Sequence, residues 1–249
     1  MSAPGWRRLR HGVVPSTNDL AFDAVEAGTA RHGDVFLATE QSAGRGTRGR
    51  TWESGPGGLY LSVVLRSDRM PPAGAWTLAG GLAVHDVATA AGAEVVIKWP
   101  NDVTTPCGAK VAGVLAESRG LRAEWPATFV LGIGVNVDGP GPSEALRAER
   151  DVAALSRLCD APPLREVEDA LVEALERRTR EVLEDPGGLY EAFFLRCALA
   201  GAPVTVHGAE REVRGRWTGL HPELGLRVEG EGRTRHLAVA HVRDVRSGG

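Results

Sequence analysis

Residues 41–52 of this 249-residue chain read QSAGRGTRGRTW, and this stretch decides how the rest of the sequence is interpreted. It holds three glycines and three arginines, and no aliphatic side chain larger than alanine. Glycine lets a backbone approach a ligand closely, and backbone N–H groups and arginine side chains together bind anions. The pattern is neither a Walker loop nor a dinucleotide-binding GxGxxG turn. We predict an anion site here, with a flexible basic loop or a nucleic-acid contact as alternatives.

The composition of the chain limits the classes of protein it can belong to. Its length and its 43% hydrophobic content suit one large domain, or an ordinary domain plus a small one. A net charge of -3 gives no overall attraction to nucleic acid or membranes, so anion binding must be local. Three dispersed cysteines predict neither disulfides nor zinc. Without a signal segment or a membrane-spanning run, we expect a soluble cytoplasmic protein.

Lysine and amide side chains are scarce in this arginine-rich chain, so the few that persist attract attention. They are Lys98, Lys110, Asn18, Asn101, Asn136 and Gln41. Lysine is a compact point charge that the planar guanidinium of arginine does not replace. A lysine retained in such a chain therefore indicates a site that needs an ammonium group, with chance survival as the alternative.

Apolar periodicity predicts an α+β fold. We expect strands at residues 6–14, 35–41, 59–66, 94–100, 110–118 and 127–137, and helices at 18–27, 73–91, 164–184 and 188–199. After Gly201 the pattern changes to short strands separated by turns, which predicts a small β-barrel. The expected architecture is a mixed β-sheet flanked by helices over residues 1–200, followed by a small C-terminal β-domain over residues 201–249.

Polar and small residues also interrupt three of the predicted strands. In KWPND (98–102), Lys98 could meet phosphate and Asp102 could hold magnesium or a hydroxyl, although an ordinary Asp turn would look the same. Gly113 in KVAGVLAE (110–117) indicates a close approach by a ligand or another backbone. Asn136 in GIGVNV (132–137) needs buried partners, which an adenine edge or a backbone loop would supply.

Together with STN (16–18) and EQSAGRGTRGRTW (40–52), these segments resemble those of biotin protein ligases, in the short form that lacks an N-terminal DNA-binding domain. The resemblance implies a sheet related to class II aminoacyl-tRNA synthetases, followed by an SH3-like β-barrel. It further implies that residues 1–200 bind biotin and ATP with Mg²⁺ and make biotinyl-5'-AMP. A lysine of a biotin carboxyl carrier domain then accepts the biotin. It leaves open whether the chain is a homodimer.

The resemblance also assigns roles to individual residues. Arg45 and Lys110 are the expected catalytic cations. The expected biotin-binding residues are Ser16, Thr17, Asn18, Gln41, Gly44, Arg45, Lys110 and Gly113. The expected nucleotide-binding residues are Arg48, Arg50, Trp52, Lys98, Asn101, Asp102 and Asn136. Asp102 is the one candidate magnesium ligand, through Mg-ATP.

One residue departs from the family pattern, and three alternatives remain. The commonest form of the loop has arginine after the second glycine, where this chain has Thr47. This substitution leads us to expect faster loss of the adenylate intermediate.

A lipoate or octanoate ligase or transferase would share the fold, and a non-enzymatic biotin-binding protein would share the motifs. A biotin-sensing repressor is not expected, because STN already stands at residue 16 and the chain is acidic.

Overall fold

The computed structural model describes residues 5–119, 127–139, 143, 151–208 and 212–248. Seven strands form the larger sheet: β1 (Arg7–Val14), β2 (Asp34–Gln41), β3 (Leu59–Ser67), β4 (Val96–Lys98), β5 (Asp102–Thr104), β6 (Lys110–Glu117) and β7 (Ala127–Val135). Their order is β1-β2-β3-β7-β6-β5-β4. The β1–β2 pair is parallel and the other pairs are antiparallel, which confirms the predicted mixed sheet.

The predicted strand at 94–100 is wrong in its extent. Strand β4 ends at Lys98, and the chain turns over residues 99–101 into β5, a strand that the sequence pattern did not indicate. Pro100 lacks a backbone N–H and so cannot continue a strand ladder, which favours a turn at this point. The KWPND motif is therefore a short hairpin and not the end of one long strand.

Helices cover both faces of the sheet. They are α1 (Thr17–Glu26), α2 (Ala75–Ala90), α3 (Leu164–Glu184) and α4 (Pro186–Leu195). Alternation along β3 explains the two layers: Leu61 packs in the core that contains α2, α3 and α4, whereas Val64 packs with Phe22 of α1. Helix α3 spans the residues predicted for it. None of the helices in the described residues combines the length and apolarity needed to cross a bilayer.

The C-terminal residues form a second sheet of five strands. They are β8 (Pro203–Gly208), β9 (Glu212–His221), β10 (Gly225–Gly230), β11 (Arg233–Leu237) and β12 (Val242–Ser247). The order β11-β10-β9-β8-β12 confirms a small β-rich module after the helices. Its outer strands β11 and β12 do not pair with each other in the described residues, so the predicted closed barrel is seen here as a five-stranded sheet.

An aromatic cluster joins the two sheets at the KWPND hairpin. Trp217 of β9 is 1% exposed, and its ring centroid lies 5.9 Å from that of Trp99 and 5.3 Å from that of Phe194. Trp99 also meets Phe193 edge to face at 6.0 Å. Such pairs add specific geometry to the burial of large apolar surfaces. The C-terminal sheet thus supports the hairpin that carries Asn101 and Asp102.

One buried carboxylate should make stability depend on pH. Asp34 at the start of β2 accepts hydrogen bonds from Arg7 at 2.8 and 2.6 Å. Burial raises the pKa of Asp34, but the bonds from Arg7 and the Arg31 backbone outweigh it and hold the pKa below 3.8. A carboxyl with a lowered pKa stabilises the fold above its ordinary pKa, and this stabilisation is lost as the pH falls.

We expect Asp34→Asn to lower the free energy of unfolding by about 1 kcal/mol near neutral pH, because Arg7 is half exposed and the pair is partly screened. Urea titrations at a series of pH values would measure this difference. The difference in unfolding free energy between the two proteins should narrow as the pH falls below the ordinary pKa of an aspartate, because the pKa of Asp34 is lowered in the folded protein. A difference in unfolding free energy that stays constant with pH would contradict the lowered pKa of Asp34.

Candidate functional site

The glycine- and arginine-rich stretch folds as an irregular hairpin. Trp52 N donates to Gly44 O at 2.9 Å, and Gly46 N donates to Arg50 O at 2.7 Å. A Cβ atom on Gly44 would lie 2.4 Å from the carbonyl oxygen of Trp52, so this position requires glycine for close approach. The tip is a 3₁₀ turn at Thr47–Gly49 whose last residue has a φ of 73°. All three arginines of the stretch lie on this hairpin.

An open cleft lies between this hairpin, the start of α1 and strands β6 and β7. Ten predicted site residues line it: Ser16, Thr17, Asn18, Gln41, Arg45, Arg50, Trp52, Asn101, Lys110 and Gly113. The cleft thus gathers residues from four separate motifs of the sequence.

A buried polar network holds the STN turn at one end of the cleft. The Ser62 hydroxyl donates to Asn18 Oδ1 at 2.5 Å and lies 2.7 Å from Thr17 Oγ1. Thr17 N donates to Gln41 Oε1 at 2.8 Å, and Asn18 Nδ2 donates to Glu117 Oε2 at 2.7 Å. Neither Ser62 nor Glu117 was predicted as a site residue from the sequence. The available signal for Ser62 was a lone hydroxyl inside the apolar strand LYLSVVLRS.

Arg45 lines the cleft while it is ion-paired with two carboxylates. Its Nη2 lies 2.9 Å from Glu117 Oε2 and 3.0 Å from Asp19 Oδ1. Arg119 Nη2 lies 2.9 Å from the same Asp19 oxygen. The Arg45 side chain is 37% exposed. An anionic ligand in the cleft would therefore compete with Asp19 and Glu117 for this guanidinium, and neither acid was predicted from the sequence.

Lys110 also lines the cleft. Its Nζ lies 2.7 Å from Asp102 Oδ1 and 5.1 Å from the centroid of the Trp52 ring. The side chain is only 14% exposed. Lys98 faces Asp102 across the β4–β5 pair but is exposed to solvent. Of the two lysines of the chain, only Lys110 lines the cleft.

Trp52 lies against two glycines that face each other on neighbouring strands. Gly113 of β6 and Gly134 of β7 are paired in register. A Cβ atom on Gly134 would lie 2.5 Å from the indole, and one on Gly113 would lie 3.0 Å from it. The glycines of KVAGVLAE and GIGVNV therefore leave the space in which the ring of Trp52 packs against the sheet. The expected contact of Gly113 with biotin stays a prediction.

Five predicted site residues do not line the cleft: Gly44, Arg48, Lys98, Asp102 and Asn136. Arg48 takes a left-handed φ of 60° and donates to the backbone oxygen of Arg243 on β12. Asn136 donates through Nδ2 to the backbone oxygen of Lys110 at 3.1 Å. The sequence left an adenine edge and a backbone loop as alternative partners for Asn136. In the structure its partner is a backbone oxygen. This bond holds the start of β6, from which the Lys110 side chain extends.

The acidic residues of the site decide whether it could bind the predicted magnesium ion. Within the described residues, no three His, Cys, Asp or Glu side chains come together as a metal cluster. Asp102 offers one carboxylate, which is paired with Lys110. Protein-bound Mg²⁺ usually keeps several waters and takes one or two carboxylates plus substrate phosphates. The Asp102 carboxylate therefore fits an ion that arrives with a nucleotide and its phosphates.

Comparison with known proteins identifies the family. The model of the biotin/lipoate A/B protein ligase family matches residues 11–136, which is half of the chain. The chain belongs to the biotin/lipoate A/B protein ligase family. Among its relatives, the biotin–[acetyl-CoA-carboxylase] ligase of Paracoccus denitrificans is 33% identical over 92% of this chain and 98% of that protein. The bifunctional ligase/repressor BirA of Salmonella typhimurium is 39% identical over 50% of this chain, but this match spans only 39% of that protein's length.

Solved structures of ligases agree with the fold. The biotin protein ligase of Aquifex aeolicus, in complex with biotin and ATP, matches with a TM-score of 0.79 at 22% identity over 97% of this chain and 99% of that chain. The ligase of Leishmania major with biotinyl-5-AMP matches with a TM-score of 0.63 at 23% identity over 94% of this chain and 99% of that one. At this identity the match supports the predicted fold, including the C-terminal sheet.

Proposed function

We propose that this protein is an ATP-dependent biotin protein ligase. It makes biotinyl-5'-AMP from biotin and ATP, and transfers biotin to a lysine of a biotin carboxyl carrier domain. The observation that carries the proposal is that Arg45 and Lys110 line one cleft with the Thr17–Asn18–Gln41 polar network. The name of the Paracoccus denitrificans relative and the ligands of the Aquifex aeolicus structure support the choice of substrates.

The first step joins two anions. An oxygen of the biotin carboxylate attacks the α-phosphorus of ATP, the bond to the bridging oxygen of the β-phosphate breaks, and pyrophosphate leaves. Two unit charges 4 Å apart repel by about 4 kcal/mol at a near-surface effective dielectric. Arg45 and Lys110, which both line the cleft, offset this repulsion. Fixed donors of this kind act most strongly on the charge that develops in the transition state.

Arg45 can change partners at small cost. Ion pairs as exposed as those with Asp19 and Glu117 contribute about 0 to 1 kcal/mol each. This is less than the repulsion between biotin and ATP that the guanidinium relieves. We therefore propose that the biotin carboxylate and the α-phosphate replace the two acids as partners of Arg45 during the reaction.

The other predicted residues divide between the two substrates. Ser16, Thr17, Asn18 and Gln41 bind the ureido end of biotin, and Gly44 and Gly113 allow its close approach. Arg48, Arg50, Lys98, Asn101 and Asp102 serve the phosphates, and Trp52 and Asn136 flank the adenine. Magnesium delivered with ATP would be held by phosphate oxygens and Asp102, where it adds charge neutralisation. For Arg48, Lys98, Asp102 and Asn136 this role requires a rearrangement, since none of these residues lines the cleft.

In the second step, the neutral amine of the carrier lysine attacks the acyl carbon of the adenylate. The bond from that carbon to the phosphate oxygen breaks, AMP leaves, and the new amide loses a proton to solvent. We propose that residues 1–200 carry out both steps and that residues 201–249 form a separate C-terminal module. We place the reaction in the cytoplasm, where ATP and carrier proteins meet, and a homodimer stays a prediction.

The direct test is ATP-dependent pyrophosphate release in the presence of biotin, with lipoate and octanoate as competing substrates. We expect turnover with biotin and none with lipoate or octanoate. Turnover with lipoate alone would favour the other branch of the family. Tight biotin binding without pyrophosphate release would identify a non-enzymatic biotin-binding protein.

Thr47 gives a prediction about retention of the intermediate. Its hydroxyl lines the cleft and accepts a hydrogen bond from Arg50 Nη2 at 3.1 Å. An arginine at this position would add a charge-assisted bond to the adenylate phosphate. We expect Thr47→Arg to slow release of biotinyl-5'-AMP by about tenfold, measured by trapping the released intermediate. Thr51→Arg adds the same charge at a more exposed residue that also lines the cleft, and we expect it to change release less. Equal release rates in wild type and Thr47→Arg would contradict this prediction.

A further inference from the structure

We propose that Ser62 is a positioning residue for the biotin end of the cleft. The inference rests on the proposed function and names a residue that no motif includes. Ser62 lies on β3, beneath the turn that carries Thr17 and Asn18. Its hydroxyl is the point from which hydrogen bonds spread to both ends of the expected biotin site.

At Ser62 the sheet leaves a small polar space that the Asn18 side chain fills. Ser62 is paired in register with Gly132 of β7. A Cβ atom on Gly132 would lie 2.2 Å from Asn18 Oδ1, so glycine leaves the space into which the Asn18 amide fits. Two positions along β3, Val64 packs in the apolar layer under α1. Ser62 and Gly132 together therefore open a polar gap in an otherwise apolar face.

Burial makes the Ser62 hydroxyl hard to replace. Ser62 is 0% exposed, Thr17 is 3% exposed and Asn18 is 4% exposed. Water cannot easily substitute for a hydroxyl in such a place. Loss of one partner of a buried hydrogen bond costs about 1 to 3 kcal/mol, because the remaining group stays desolvated. The Asn18 amide would be free to turn away from its present orientation.

Two branches of hydrogen bonds start at this hydroxyl. One runs through the Thr17 hydroxyl to the side-chain oxygen of Gln41, which lies 3.2 Å from Thr17 Oγ1. The other runs through Asn18 to Glu117 at 2.7 Å, and Glu117 in turn holds Arg45 at 2.9 Å. The first branch reaches Gln41, which is expected to bind the ureido ring of biotin. The second branch reaches Arg45, the cation expected at the biotin carboxylate. Ser62 thus orients groups for biotin but touches no proposed nucleotide-binding residue.

The test compares two serines of the same strand. Ser67 is also buried, at 2% exposure, and its hydroxyl donates to Arg69 O at 2.5 Å, away from the cleft. We expect Ser62→Ala in the full chain to raise the Kd for biotin by about tenfold or more and to leave the Kd for ATP alone within about twofold. Ser67→Ala should leave both constants within about twofold of wild type, even if it lowers the unfolding temperature. Ser62→Cys keeps a small side chain with a weaker donor, and we expect it to weaken biotin binding in the same direction.

Calorimetry with biotin and with ATP, combined with thermal unfolding, separates the outcomes. Biotin binding by Ser62→Ala or Ser62→Cys within about twofold of wild type overturns the inference. Equal weakening of biotin binding by Ser67→Ala also overturns it, because the effect would then follow general loss of stability. If the wild-type protein binds no biotin, the proposed function itself fails, and this inference fails with it.

Discussion

Lys110→Met should reduce the rate of biotinyl-5'-AMP formation by about 100-fold to 1,000-fold, the range found when one fixed donor to a developing charge is removed. The reason is the position of the ammonium, 2.7 Å from Asp102 and 14% exposed at the wall of the cleft. Loss of Lys110 removes a cation from the reacting groups. It also leaves the Asp102 carboxylate, 20% exposed, beside the incoming phosphates.

Single-turnover pyrophosphate release with saturating biotin and ATP measures this effect. Lys110→Arg is the matched variant, because it keeps the charge but replaces a compact ammonium with a planar fork. We expect Lys110→Arg to recover only a minor part of the rate, since Trp52 lies 5.1 Å from Nζ and limits the space. A rate for Lys110→Met within about threefold of wild type would remove Lys110 from the mechanism.

Arg45→Ala should lower kcat/KM for biotin by about 100-fold, because the guanidinium is the second cation that the two substrates share. Arg45→Lys keeps the charge but cannot form two parallel bonds to a carboxylate and a phosphate, so we expect only partial recovery. Steady-state kinetics of pyrophosphate release at varied biotin, with ATP held constant, measure the loss.

Arg119→Ala is the control for this experiment. Arg119 binds the same Asp19 oxygen as Arg45, at 2.9 Å, but it does not line the cleft. Its removal changes the charge of the cluster by the same amount and should alter kcat/KM by no more than about threefold. Comparable losses in Arg45→Ala and Arg119→Ala would mean that the net charge of the cluster matters and the position of Arg45 does not.

The local elements of the fold were largely predictable from the sequence. Helix α3 begins at Leu164 and ends at Glu184 as predicted, because its apolar residues recur at helical spacing over six turns. Strand β5 was missed because Asp102–Thr104 is only three residues long and follows a turn. Apolar periodicity needs more residues than that to stand out from its neighbours. Pairing of distant strands, such as β3 with β7, has no local signal at all.

The candidate site was predictable where a motif concentrates unusual residues. Arg45 and Lys110 were predicted to act together, and the structure brings both to one cleft. The residues that hold them were not predicted, since Asp19 and Glu117 are ordinary acids of a helix and a strand until the fold pairs them with Arg45. The same holds for Ser62, whose role depends on Gly132 of another strand.

The C-terminal sheet also contacts the site in a way that the sequence could not indicate. Arg48 was predicted to bind the nucleotide, but its side chain donates to the backbone of Arg243 on β12. This contact fixes the tip of the hairpin that carries Arg45 and Arg50. The conformation of the loop therefore depends on a strand almost two hundred residues away in sequence, and local patterns carry no information about such contacts.

The central claim is that Arg45 and Lys110 neutralise the two substrates where they react. A crystal structure with biotin and a non-hydrolysable ATP analogue tests it most directly. We predict that the Arg45 guanidinium leaves Asp19 and Glu117 and lies within hydrogen-bonding distance, about 3 Å, of the biotin carboxylate and the α-phosphate, with Lys110 Nζ at a similar distance. A complex in which Arg45 keeps both acids and Lys110 keeps only Asp102, with neither touching the substrates, would contradict the account.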